Sequence, residues 1–153
     1  MRIRIATAYF VPEQEILTRL VDAAERGVEV ELLLPGPHAD KRFVQLSSES
    51  GYAPLLAAGV KIWTFQPSML HAKIMTVDGI LANVGSANLN LRSTMLDEEI
   101  NVVAIDPALV ALLDQHFDDD LARSKEMEEG RWERRPVLNR VAEAAVRPVR
   151  RFF

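Results

Sequence analysis

Asp78-Gly79 stands between two runs rich in apolar and β-branched residues, 70–77 and 80–86, and that pair in that setting commits the chain to a tight β-hairpin. Asp and Gly both tolerate the left-handed backbone of a type I′ turn, so Asp78 is read first as a turn residue. A two-residue turn pairs Val77 with Ile80 and sets His71 opposite Ser86. Residues two apart on a strand share a face, which puts His71 and Lys73 together, about 7 Å apart. Ser86, and Asn88 if the strand continues, join them from the facing strand with Cβ atoms about 5 Å away. Four polar groups are expected on one surface.

The hairpin follows two strand–helix–strand segments. Residues 2–11 are β-branched and aromatic, and Pro12 stops them; Ile16, Leu17, Leu20, Val21 and Ala24 then recur at helical spacing up to Gly27. Val28–Leu34 is a largely apolar strand closed by Pro35-Gly36-Pro37, which makes this first unit a parallel, right-handed crossover. A short helix around Tyr52–Ala58, a stop at Gly59 and a strand Val60–Phe65 repeat the order. After the hairpin, Leu96–Ile105 reads as a strand, and Pro107 opens a helix that runs to about Arg123 on Leu109, Leu112, Leu113, Phe117 and Leu121. The expected fold is α/β, a mixed and mostly parallel sheet flanked by helices.

A chain of 153 residues, 48% hydrophobic and 26% charged, has the composition of one globular domain. No apolar run reaches the ~20 residues of a membrane-spanning helix, and the first residues lack the apolar block of a signal peptide. The absence of cysteine excludes disulfides and thiolate metal ligands. The net charge of −4 divides unevenly, +5 on residues 131–153 and −9 on residues 1–130. We therefore expect a domain over 1–130 and a basic amphipathic tail over 131–153. In that tail Val137, Leu138, Val141, Ala144 and Ala145 recur amid arginines, with Trp132 and Phe152-Phe153 flanking, a composition suited to an anionic lipid surface.

The four converging groups suit a phosphodiester. A neutral imidazole nitrogen on His71 can attack phosphorus while the Lys73 ammonium, the Asn88 amide and the Ser86 hydroxyl hold the anionic oxygens. Gly85 would let substrate approach the backbone. Glu99 can accept a hydrogen bond from the other ring nitrogen and fix the tautomer, although the pattern treats Glu98 and Glu99 alike. Neither a metal nor a cofactor is required. His38 and His116 stand outside this pattern and read as structural.

The compound pattern from His71 through Lys73, Asp78, Gly85, Ser86 and Asn88, with Glu99 beyond, resembles the signature of the phospholipase D superfamily. Ala8-Tyr-Phe-Val-Pro12, Ala24-Glu-Arg-Gly-Val28, Ala57-Ala-Gly-Val60, Asn88-Leu-Asn-Leu-Arg-Ser93 and Arg131-Trp-Glu-Arg-Arg-Pro136 extend the likeness to the C-terminal catalytic domain of bacterial cardiolipin synthases. The resemblance implies that His71 is the nucleophile or its partner acid, that Lys73 and Asn88 bind phosphate, that Ser86 assists, that Glu99 orients His71, and that Asp78 supports rather than reacts. It also implies a phospholipase D-like half, because those enzymes carry two such motifs in one chain and this sequence carries one. The expected activity is phosphatidyl transfer, with cardiolipin made from two phosphatidylglycerols through a phosphohistidine. Completion would require a second phospholipase D-like domain in cis or a homodimer partner, at the cytoplasmic side of the cell membrane and bound peripherally. The alternative is a homodimeric phosphodiesterase or nuclease. An acidic body speaks against nucleic acid, whose backbone is held by Lys and Arg. A non-catalytic half that only buttresses a partner would not need His71, Lys73 and Asn88 intact.

Overall fold

Apolar alternation in the first 65 residues becomes a parallel three-strand core because each strand is covered on both faces. A computed structural model describes residues 1–39, 48, 51–128 and 130. Strand β1 (Arg2–Thr7) pairs in parallel with β3 (Glu29–Pro35), and β3 with β4 (Lys61–Phe65). Helix α1 (Gln14–Glu25) makes the first crossover and buries Leu17, Leu20 and Ala23. Helix α2 (Tyr52–Ala57) makes the second and buries Tyr52, Leu55 and Leu56. These side chains meet Ile5, Val30, Leu32 and Ile62 in one cluster. Leu32, Leu33, Leu55 and Ile62 are fully enclosed, each worth about 1.5–3 kcal/mol of burial.

The hairpin and the last elements complete the sheet. Strands β5 (Lys73–Val77) and β6 (Leu81–Gly85) flank the turn, and β8 (Asn101–Ile105) lies outside β6. Helix α4 (Pro107–Leu121) starts with Asp106 as its cap, the carboxylate accepting from the N–H groups of Ala108 and Leu109. Strand β9 (Ser124–Glu126) returns antiparallel against β4. The strand order is β8-β6-β5-β1-β3-β4-β9. A second, two-stranded sheet joins β2 (Phe10–Val11) to β7 (Leu89–Asn90), and a short helix α3 (Leu91–Met95) follows.

A mixed sheet is what the sequence led us to expect, but not one that is mostly parallel. Of the six pairings in the large sheet, only β1–β3 and β3–β4 are parallel; the other four are antiparallel. The cause is local: a tight hairpin and two short returns need no crossover helix. Residues 2–11 form two strands rather than one, and the strand expected from Leu96 begins at Asn101. The tail over 131–153 lies outside the described residues.

Arg4 locks α4 to the sheet. It is 6% exposed on β1, with Nε donating to Glu31 of β3 at 2.8 Å and Nη2 paired with Asp118 of α4 at 2.6 Å. Its guanidinium lies over the Phe117 ring, and Asp114 accepts in turn from Thr76 of β5 at 2.7 Å. Phe117 and Leu70 close a second cluster with Ala6, Leu33 and Phe65. Leu70, immediately before His71, is thereby pinned in the core.

Candidate active site

The carboxyl end of β1, the start of β5 and the end of β6 meet at one end of the sheet, where α/β folds characteristically bind ligands. Their registers put Thr7 beside Lys73, Ile5 beside Met75, Met75 beside Asn83, and Gly85 beside Asn101. Ile5, Thr7, Lys73, Met75, Asn83 and Asn101 therefore share one face and floor a cleft of about 180 Å³. Ala87, Asn88, Leu89 and Thr94 line it from the segment above. That segment is held by the β2–β7 pairing, by Asn90, whose side chain accepts from the Ser93 N–H at 3.0 Å, and by the Thr94 hydroxyl, which donates to Glu13 at 3.3 Å.

His71 precedes β5 and is exposed at the rim. Its neighbour Ala72 is tied down by the Ala8 N–H at 3.0 Å, and the Lys73 ammonium donates to the His71 carbonyl at 3.3 Å. The Tyr9 ring stands edge-on to the imidazole, 6.3 Å between centroids and 81° between planes. Burial pushes the Lys73 ammonium below its ordinary value, and the Glu99 carboxylate pulls it the other way.

The hairpin register differs by one residue from the expected one. Asp78 (φ 52°) and Gly79 (φ 69°) do form a left-handed turn, closed by the Ile80 N–H on the Val77 carbonyl at 3.0 Å. Val77, however, pairs with Leu81, and Ile80 is an extra residue whose carbonyl accepts from Asp106 N–H at 3.0 Å. One slip exchanges the faces. Lys73 comes level with Gly85, so Ser86 leaves the shared face. The Ser86 hydroxyl instead donates to Glu99 at 2.5 Å and accepts from the Ile100 N–H at 3.0 Å.

Three further expectations change with the geometry. Glu99 is bonded to Ser86 and Ser93 rather than to the His71 ring, and those two hydroxyls, Ser86 first, hold its carboxyl below the usual glutamate value, Lys73 adding to the effect. Gly85 is also required by β8: a Cβ there would lie 1.9 Å from Asn101 Oδ1 and 2.3 Å from the Ile100 carbonyl. Asp78 sits five residues along β5 from Lys73, about 15 Å away, outside the cleft. Its carboxylate accepts from the Arg2 N–H at 2.6 Å and its N–H donates to the Arg2 carbonyl at 2.9 Å, a structural tie between turn and β1.

Asn88 lines the cleft from beyond the end of β6 rather than from the continued strand that was expected to carry it, and Asn83 was not foreseen. Both line the cleft beside Lys73, and both side-chain carbonyl oxygens are buried with no hydrogen-bond partner among the described residues. Buried acceptors are normally satisfied, so two unspent ones beside an ammonium mark the place of a polar ligand. The signal for Asn83 was its parity with Lys73 in the true register, which one miscounted turn residue hid. Among the described residues no cluster of His, Asp and Glu has the arrangement of a metal site.

The profile of the family described as "Cardiolipin synthase, PLD-like domain" matches residues 1–121. Cardiolipin synthase 2 of Bacillus anthracis is 41% identical over 143 residues, which is 94% of this chain and 28% of that protein. Probable cardiolipin synthase YwiE of Bacillus subtilis is 37% identical over the same extent. The chain thus spans about 28% of the length of these relatives. Among solved structures, the phospholipase D family member Nuc from Salmonella typhimurium shares the fold at a TM-score of 0.74, with 22% identity over 84% of this chain and 82% of that one. Phosphatidylserine synthase of Haemophilus influenzae shares it at 0.70, with 16% identity over 99% of this chain and 41% of that one.

Proposed function

The chain belongs to the phospholipase D-like domain family of cardiolipin synthases, and on that premise we propose that it is one half-site of a phosphatidyltransferase that joins two phosphatidylglycerols through a phosphohistidine. The observation that carries this reading is the cleft that a partly buried Lys73 shares with Asn83 and Asn88, whose amide N–H groups can donate to phosphoryl oxygens, with His71 exposed two residues before Lys73.

In the proposed reaction an imidazole nitrogen of His71 forms a bond to phosphorus as the bond from phosphorus to the glycerol oxygen breaks. The departing oxygen takes its proton from an acid on a facing phospholipase D-like unit, a transfer worth about 10²–10⁴ in rate. The hydroxyl of a second phosphatidylglycerol, deprotonated by the same group, then attacks phosphorus and releases His71. Lys73 and the Asn88 amide hold the phosphoryl oxygens as charge grows. Glu99, fixed by Ser86 and Ser93, faces Lys73 electrostatically and favours its charged form. No helix among the described residues is long and apolar enough to cross a membrane. We place the unit peripherally at the cytoplasmic face, with the basic 131–153 segment as its contact to anionic lipid.

Phosphatidylglycerol labelled at phosphorus tests the assignment. Acid-labile, base-stable label should appear on the protein and vanish in His71→Ala. Label retained in that variant would exclude His71 as the nucleophile, and plasmid cleavage without lipid turnover would transfer the site to a phosphodiesterase.

A further inference from the structure

A bound phosphodiester leaves one side of the Asn83 amide unanswered. Such a diester carries no hydrogen-bond donor, so it can accept from the Asn83 N–H groups but gives nothing to Oδ1, which is buried with no partner among the described residues. Neighbouring donors are directed elsewhere. The Lys73 ammonium donates to the His71 carbonyl at 3.3 Å, the Thr7 hydroxyl to the Tyr9 carbonyl at 3.2 Å, and the Thr94 hydroxyl to Glu13 at 3.3 Å and to the Asn90 carbonyl at 3.1 Å. Ile5, Met75 and Leu89 give the rest of this part of the cleft an apolar lining. A buried acceptor in that setting favours a ligand that brings a hydroxyl and rejects one that lacks it.

We propose that Asn83 sets headgroup specificity, its Oδ1 accepting a hydrogen bond from a hydroxyl of the glycerol that leaves phosphorus; the inference rests on the half-site reading above. Strand register supplies the direction. His71 lies two residues before Lys73, whereas Asn83 is level with Met75, two residues beyond it. An in-line displacement places the leaving oxygen on the side of phosphorus away from the attacking atom. With phosphorus held at Lys73 and attacked from His71, the departing glycerol therefore runs along the floor toward Asn83, about 7 Å away across the strand pair. A three-carbon alcohol has that reach. A propyl group of the same length meets the same apolar walls but leaves Oδ1 buried and unpaired, which costs about tenfold or more in affinity.

Two soluble diesters test the proposal on the full chain by NMR titration: methyl glycerol phosphate, and methyl propyl phosphate, which has the same length and charge without the hydroxyls. The wild type should bind the glycerol ester at least about tenfold more tightly. Asn83→Leu should bring the two affinities together, and Asn83→Thr, whose hydroxyl can still accept, should keep most of the difference. Equal affinities in the wild type would mean that water serves Asn83, which overturns the proposal and leaves the phosphate site standing. A preference that survives Asn83→Leu assigns the hydroxyl to another group and overturns it as well. Failure of the wild type to bind either diester would remove the phosphate reading of the cleft, and this proposal with it.

Discussion

At Asn83 and Asn88 two buried side-chain carbonyl oxygens have no partner among the described residues, and a buried acceptor left unpaired costs stability. Replacing Asn83 with leucine removes one of them, so Asn83→Leu should unfold at equal or higher denaturant concentration, by up to about 1 kcal/mol, while KM for the phospholipid rises. A loss of stability with an unchanged KM would show that the amide serves the fold alone. Glu99 gives a second residue-level test. Its carboxyl lies below the ordinary 4.5 because of Ser86 first and Ser93 second. A carboxyl lowered by folding contributes stability that is fully present above its unfolded value and is lost as pH falls through the folded one. Ser86→Ala should therefore move the Glu99 midpoint up toward 4.5 in a carbon-13 NMR titration, and the acid-side loss of stability should shrink with it. A stationary midpoint would sink the assigned cause.

The hairpin shows how an element can be recognised while its register is not. Asp78-Gly79 announces the turn, and the positive φ angles at both residues bear that out. Whether a residue is inserted beyond it depends on the Ile80 carbonyl meeting Asp106 at the start of α4, a contact between segments 26 residues apart that no local pattern contains. From this one insertion follow the loss of Ser86 from the cleft face and the gain of Asn83. Asp78 then has its role at the scale of the element. Asp78→Asn preserves the left-handed tolerance and an acceptor for the Arg2 N–H, so it should cost under about 1 kcal/mol and leave histidine labelling per folded molecule unchanged. A collapse of labelling in a stably folded Asp78→Asn would return the aspartate to the chemistry.

Across the whole molecule, Arg4 joins β1, β3 and α4, its burial offset by hydrogen bonds to Asp118 and Glu31 that hold the guanidinium above its ordinary value. Arg4→Met leaves Glu31 without its cation in the core, while Asp114 keeps Arg2, and should cost about 3–5 kcal/mol in urea unfolding. A loss under about 1 kcal/mol would mean that α4 is held by Phe117 packing alone. Much of this architecture was legible in residue order: the two crossovers, the turn, α4 with its Pro107 start, and the company of His71 and Lys73 follow from local periodicity, from backbone preferences of Gly, Pro and Asp, and from the resemblance of the motif. β9 was not legible, because Ser-Lys-Glu carries no apolar signal and becomes a strand only by pairing with β4. Nor was the direction of most pairings, the attachment of Glu99 to Ser86, or the crowding of Gly85 by Asn101. The sequence by itself determined most of the strands and helices and which residues are candidates for the chemistry, since those depend on neighbours a few positions away. Only the tertiary structure decided which of them share a face, because strand register is set by contacts between distant segments and a shift of one residue turns every side chain to the opposite side.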